Sequence, residues 1–340
     1  VDAGEHHDSD PTVRLRAPGT RSGTGRAEAG RFRGWLVAGG VAVVAAVGGA
    51  AAFGLIGTRP APAPIKAPAP AAAPSPAPAP GPSAALPAIA VATEADILAW
   101  RGSTTALFRF AANPRVLVLV FPNLHAQADM LLRVAALVEV RDMPRDRVLD
   151  GAALATAIRA RGGEPDRFYY GHDYRAADLA RFFNLAARAA VPLAPDEETL
   201  HALAGEQGWL APGARGALLS IPMEDVAGDP AGRAVILRHE LSHGEYFTDP
   251  DYAAFARLFW ATALTEGERE RFRAFLARQE YDVSDEDLMI NETQAYLEHT
   301  RDPAFFRAEA VGITEDRLAE LRARFRAGMP PGWLRDATPP

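Results

Sequence analysis

Residues 60–88 read "PAPAPIKAPAPAAAPSPAPAPGPSAALPA". Proline fixes φ and removes the backbone donor, so neither a helix nor a sheet ladder can run through this stretch. It favours polyproline II, and at about 3.1 Å per residue it would reach on the order of 90 Å. A chain of 340 residues with such a spacer in it cannot be one globular body. The domain with a core starts near residue 90, and whatever precedes the spacer has another role.

Two segments precede it. Residues 1–34 are polar, Gly-rich and mixed in charge with no hydrophobic period, which predicts a disordered tail. Residues 35–57, "WLVAGGVAVVAAVGGAAAFGLIG", carry no charge over 23 positions. At about 1.5 Å per residue they span a hydrocarbon core of roughly 30 Å, which predicts one transmembrane helix. Arg14, Arg16, Arg21, Arg26, Arg31 and Arg33 precede it, and only Arg59 and Lys66 lie near its other end. The positive-inside rule then puts the N-terminus in the cytoplasm and the remainder outside, in the periplasm or its equivalent. A cleaved signal peptide is the runner-up, disfavoured because the apolar core exceeds the usual length of about 7–15 residues. The expected order is a cytoplasmic tail (1–34), a single-pass signal-anchor in the inner (cytoplasmic) membrane (35–57), a Pro/Ala-rich linker (58–89) and a folded domain (90–335).

Within that domain "RVLVLVF" (115–121) is an unbroken apolar run, hence a buried strand, and "ALLSIPM" (217–223) reads the same way. "RFYYGHDY" (167–174) is a short strand or turn ahead of an amphipathic helix to about Ala189. Asn123 and Asp150 are helix N-caps, and Gly162-Gly163 end the second of those helices. Asp229-Pro230 opens a helix to about Phe247, "YAAFARLFWATAL" (252–264) follows, and Thr265 with Glu268 makes a capping box for the next helix. Ser284 with Asp287 is read as a similar box before "LMINETQAYLEHT", and Thr314 caps a last helix ending at Gly328. The expected fold class is α+β, with a small sheet in the N-terminal half and a mostly helical C-terminal half.

The chain has no cysteine, so disulfides, thiol catalysis and Cys-ligated metals are excluded. A net charge of −7 gives no sign of nucleic-acid binding. Any metal must be held by His, Asp or Glu. Two of the eight histidines stand four apart in "VILRHELSHGEYF" (235–247). On a helix of 3.6 residues per turn, His239 and His243 share a face, and their nitrogens can reach one Zn²⁺. Glu240 is about 100° further round, suited to act as a general base. A buried helix is not stabilised by such a polar trio unless something binds it. The third ligand is Glu292 in "NETQAYLEH" or, failing that, Asp249. On a regular helix Leu288, Glu292, Ala295 and His299 share one face. His6, His7, His125 and His201 are read as incidental.

"HELSH" followed by "NETQAY" resembles the gluzincin class of zinc metallopeptidases, where H-E-x-x-H precedes a glutamate ligand on a second helix, often as N-E-x-x-A. The likeness covers the two motif helices and strand 217–223. The interval from His243 to Glu292 is longer than in the best-known members. The resemblance implies a zincin-like fold, zinc on His239, His243 and Glu292, and Glu240 as general base. Tyr296 and His299 are its first candidates for stabilising the oxyanion, with Tyr246 and His172 behind them. Asn291 and Glu245 are candidates to orient the histidines. The expected activity is hydrolysis of peptide or amide bonds in a peptide or protein substrate. Two alternatives are an inert, metal-stabilised binding module held near a cell-envelope partner, and an envelope-spanning transducer that works through its spacer.

Overall fold

The computed structural model describes residues 88–224 and 231–337. The tail, the apolar segment and the spacer up to residue 87 lie outside them, as does the Asp229-Pro230 cap. Among the described residues no helix is long and apolar enough to cross a membrane.

The elements run β1 (Ile89–Ala92), α1 (Glu94–Ala99), β2 (Ala106–Phe110), β3 (Val116–Phe121), α2 (Leu124–Val138), α3 (Gly151–Ala160), β4 (His172–Arg175), α4 (Ala176–Arg188), α5 (Pro195–Glu206) and β5 (Ala217–Pro222). The rest is helical: α6 (Gly232–Thr248), α7 (Pro250–Thr262), α8 (Glu266–Arg278), α9 (Glu286–Gln294), α10 (Glu315–Gly328) and α11 (Trp333–Asp336). A π-helical turn, Ala295–His299, continues directly from α9. The domain is α+β, with a five-stranded sheet from its N-terminal half and a mostly helical C-terminal half.

The sheet order is β1-β2-β3-β5-β4. β3 and β5 pair in parallel at its centre, and every residue of both is buried. Burial on both faces is why they read as continuous apolar runs rather than alternating ones. β4 runs antiparallel to β5 along one edge of the sheet.

Most helix starts follow the caps expected of them. Asn123 Oδ1 accepts from Ala126 N at 2.8 Å, and Asp150 Oδ1 from Ala153 N at 2.9 Å. Gly162, at φ +73°, closes α3 in a conformation that suits glycine. The start of α9 differs. Its cap is Asp285, which accepts from the N–H groups of Asp287 and Leu288. Ser284 is drawn off instead, giving both its N–H and its hydroxyl to Asp282 Oδ1. The Ser284–Asp287 box therefore does not form, and the helix begins one residue later.

Helix α6 crosses the sheet and is buried along Val235–Tyr246 on all sides. A Cβ at Gly244 would stand 3.0 Å from Val116 Cγ2 and 3.2 Å from Leu219 Cδ1. Glycine costs the helix about 1 kcal/mol relative to alanine, and here it permits the close crossing. Arg238, on the same buried helix, is answered by Glu94 of α1, with Nη2 to Oε2 at 2.6 Å.

Candidate metal centre

On α6 the His239 and His243 rings lie edge-to-face with centroids 4.7 Å apart. Helix α9 brings Glu292 up to both. Its Oε2 is 3.7 Å from His239 Nε2, and its Oε1 is 3.7 Å from His243 Nε2. Ligands about 2.0–2.2 Å from a tetrahedral ion stand roughly 3.3–3.5 Å from one another, so these separations leave room for an ion and little else. The histidines are 1% exposed and Glu292 is 0% exposed. Both Glu292 oxygens lack a partner at hydrogen-bond distance. Buried polar atoms without partners are rare in folded proteins and call for an explanation. A bound cation supplies one.

The hydrogen bonds around His239 select its tautomer. The Thr300 hydroxyl donates to Ala295 O at 3.0 Å and meets His239 Nδ1 at 2.8 Å. A hydroxyl has one proton, so toward the imidazole it accepts, and Nδ1 carries the hydrogen. Nε2 is then a free lone pair facing Glu292, the form a metal needs. The π turn makes this possible. Its wider spacing, with bonds from residue i to i+5, carries the chain past Ala295 so that Thr300 faces His239.

Glu240 belongs to a second grouping. Its carboxylate, that of Asp173 and a His243 nitrogen lie within 4.8 Å of one another, and Asp173 Oδ2 is 3.8 Å from His243 Nδ1. Asp173 comes from β4 and accepts from Asn291 Nδ2 at 3.4 Å. A third grouping joins Glu139, just past α2, to Asp173 and Glu292. The backbone before β4 presses on the centre too. A Cβ on Gly171 would fall 2.0 Å from Glu240 Oε1, so only glycine leaves space for that carboxylate.

Burial dominates the electrostatics. It holds Glu240 well above the usual carboxylate range, helped by the neighbouring charges of Asp173, Glu292 and Glu139. It raises Glu292 to about 8, with Asp173 adding to the rise and His243 opposing it. It pushes His239 well down, with His243 and His299 in support, so the imidazole stays neutral.

The other sequence candidates fall as follows. Tyr296 packs against His239 with centroids 4.8 Å apart, and its buried hydroxyl has no partner at hydrogen-bond distance. Tyr281 approaches both Tyr296 and Glu292. His299 is turned elsewhere: its Nε2 meets Tyr252 OH at 3.0 Å, and it is in none of the three groupings. The expected face Leu288–Glu292–Ala295–His299 assumed α-helical spacing, and the π turn breaks it. Asp249 caps α7 through Asp251 N and Tyr252 N and is not among the grouped residues. Tyr246 donates to Asp287, and Glu245 accepts from Asn113 and Trp333. His172 is 2.7 Å from Tyr174 OH, and burial lowers it to about 3. Its neighbour Asp173 is the residue of that stretch that meets the centre. Successive residues of a strand face opposite ways, so His172 and Asp173 cannot both point there.

Comparisons with protein-family models, with curated proteins and with solved structures give no match to this chain.

Proposed function

We propose that the protein is a membrane-anchored, zinc-dependent peptidase that cuts peptide or amide bonds outside the cytoplasm. The observation that carries this reading is the convergence of His239, His243 and Glu292, buried, with both carboxylate oxygens unpartnered. Two imidazoles and one carboxylate are a donor set that suits zinc. Bound there, zinc would polarise a scissile carbonyl and lower the pKa of a water molecule.

The chain's own residues would do the rest. Glu240, one residue from a ligand and buried, takes the proton of the attacking water and delivers it to the leaving nitrogen. The pressure of burial and like charge that raises this carboxyl makes it a stronger base than an exposed glutamate. Tyr296 offers its hydroxyl to the oxygen that gains charge. Thr300 keeps His239 in its ligand tautomer, and Gly171 leaves Glu240 the space to work. The membrane anchor and outside location rest on residues 35–57 and the arginines before them.

Full burial of all three ligands favours one other reading, a metal that only stabilises the fold. Replacing Glu240 by Gln separates the two. A peptidase keeps its metal and loses hydrolysis of a broad peptide library by at least 10²-fold, the usual scale for a general base. Equal inertness of both proteins toward that library supports the structural metal.

A further inference from the structure

The centre holds more acid than one ion uses. His239, His243 and Glu292 account for a single ion. Glu139 and Asp173 are left over, yet their carboxylate oxygens and one of Glu292 lie within 4.8 Å of one another, and all three residues are buried. Glu292 is 0% exposed and neither of its oxygens has a partner at hydrogen-bond distance, Tyr281 being the donor that approaches it. Asp173 receives one long amide bond from Asn291, and its Oδ2 stands 3.8 Å from His243 Nδ1.

The arginines nearby are committed elsewhere. Arg145 bonds Asp282 and the carbonyls of Ala136 and Val140. Arg175 bonds Asp178 and Asp287. Three carboxyl groups brought together out of water must either hold protons or have a positive charge among them.

Glu139 is also held in place. Its carbonyl accepts from Asp282 N at 2.8 Å, Arg141 N donates to Glu280 O at 2.8 Å, and Val140 bridges Tyr281 in antiparallel fashion. These bonds clamp the end of α2 to the segment that leads into α9, which carries Glu292.

We propose that Glu139, Asp173 and Glu292 form a second divalent-cation site beside the first, with Glu292 shared between the two. The sharing rests on the reading of His239, His243 and Glu292 as the first site. The new site offers oxygen donors only, which suits Mg²⁺, Mn²⁺ or Ca²⁺ better than the two-imidazole site does. Paired ions joined by a carboxylate are a known arrangement for hydrolysis.

Mn²⁺ is the probe. The full chain is loaded with one equivalent of Zn²⁺ and titrated with Mn²⁺, free Mn²⁺ being read by electron paramagnetic resonance and bound metals by elemental analysis. The wild type should hold one zinc and one manganese. Glu139→Gln should keep zinc, which also certifies its fold, and bind Mn²⁺ at least tenfold more weakly. Asp173→Asn should do the same. A wild type that takes up one ion in total overturns the proposal, as does a Glu139→Gln protein that binds Mn²⁺ as the wild type does. A wild type that holds no zinc but binds Mn²⁺ through Glu139 sinks the reading of the first site and leaves the second standing.

Discussion

Thr300 decides which nitrogen of His239 is free. Its hydroxyl accepts from Nδ1 because its own hydrogen goes to Ala295 O. Thr300→Val keeps the shape and removes the acceptor, so the buried Nδ1–H goes unpaired or the ring takes its other tautomer. Loss of such an outer partner typically weakens metal binding by about 10–100-fold. A zinc competition titration of Thr300→Val should show a drop of that size with the circular dichroism unchanged. On the proposed peptidase reading, Gly171 bears on the chemistry instead. The atoms that an added methyl would strike are the far end of the Glu240 side chain. Gly171→Ala should therefore fold and keep its metal while hydrolysis falls by at least tenfold, because the carboxylate is displaced. Zinc lost together with activity would put Gly171 in the wrong role.

Elements differ in how far the sequence disclosed them. Among the helices with a side-chain cap, α2, α3, α8 and α10 begin where the expected Asn, Asp or Thr stands, because a cap is a local bond between residues three apart. The buried strands β3 and β5 were legible as apolar runs. The π turn was not, since nothing in "AYLEH" marks an extra residue per turn, and with it went the placing of His299 and Thr300. His239 and His243 could be named because a spacing of four puts them on one helix face, and Glu292 because it stands in the second motif, "NETQAY". Asp173 and Glu139 carry no such spacing, and only the path of the chain through β4 and the end of α2 delivers them. A test at this scale concerns α8. Glu268 accepts from Thr265 N at 2.8 Å and from Arg317 Nε at 2.7 Å, joining α8 to α10. The Arg317 hydrogen bond, with those of Thr265, holds its carboxyl down at about 2, against an ordinary 4.5. A depressed carboxyl stabilises the fold above about pH 4.5 and ceases to as pH falls toward 2. Glu268→Gln should cost about 1–3 kcal/mol near pH 7. Its urea midpoint should converge on that of the wild type over that acid range.

At the scale of the whole molecule the candidate metal centre would act as a clamp. It joins α6 to α9, and through Asp173 and Glu139 it reaches the sheet edge and the end of α2. Without an ion the clamp works against the fold, because the buried acids must shed protons as pH rises. Glu292 is the clearest case, raised to about 8 by burial from an ordinary 4.5. A carboxyl raised in the folded state favours folding fully below the unfolded value, and that contribution is lost as pH climbs through the folded one. The metal-free protein should therefore be most stable near pH 5 and lose thermal stability steadily toward pH 8. A bound ion reverses the slope, since it replaces the proton and binds only the ionised ligand. The gain in Tm from added zinc should be small at pH 5 and grow across the same interval, as stabilisation follows the ratio of free ion to Kd. Melting curves with chelator and with zinc, at pH 5, 6, 7 and 8, make the test. Two curves that stay parallel would mean that no buried carboxylate is exchanged between proton and metal, and the centre would have to be reassigned.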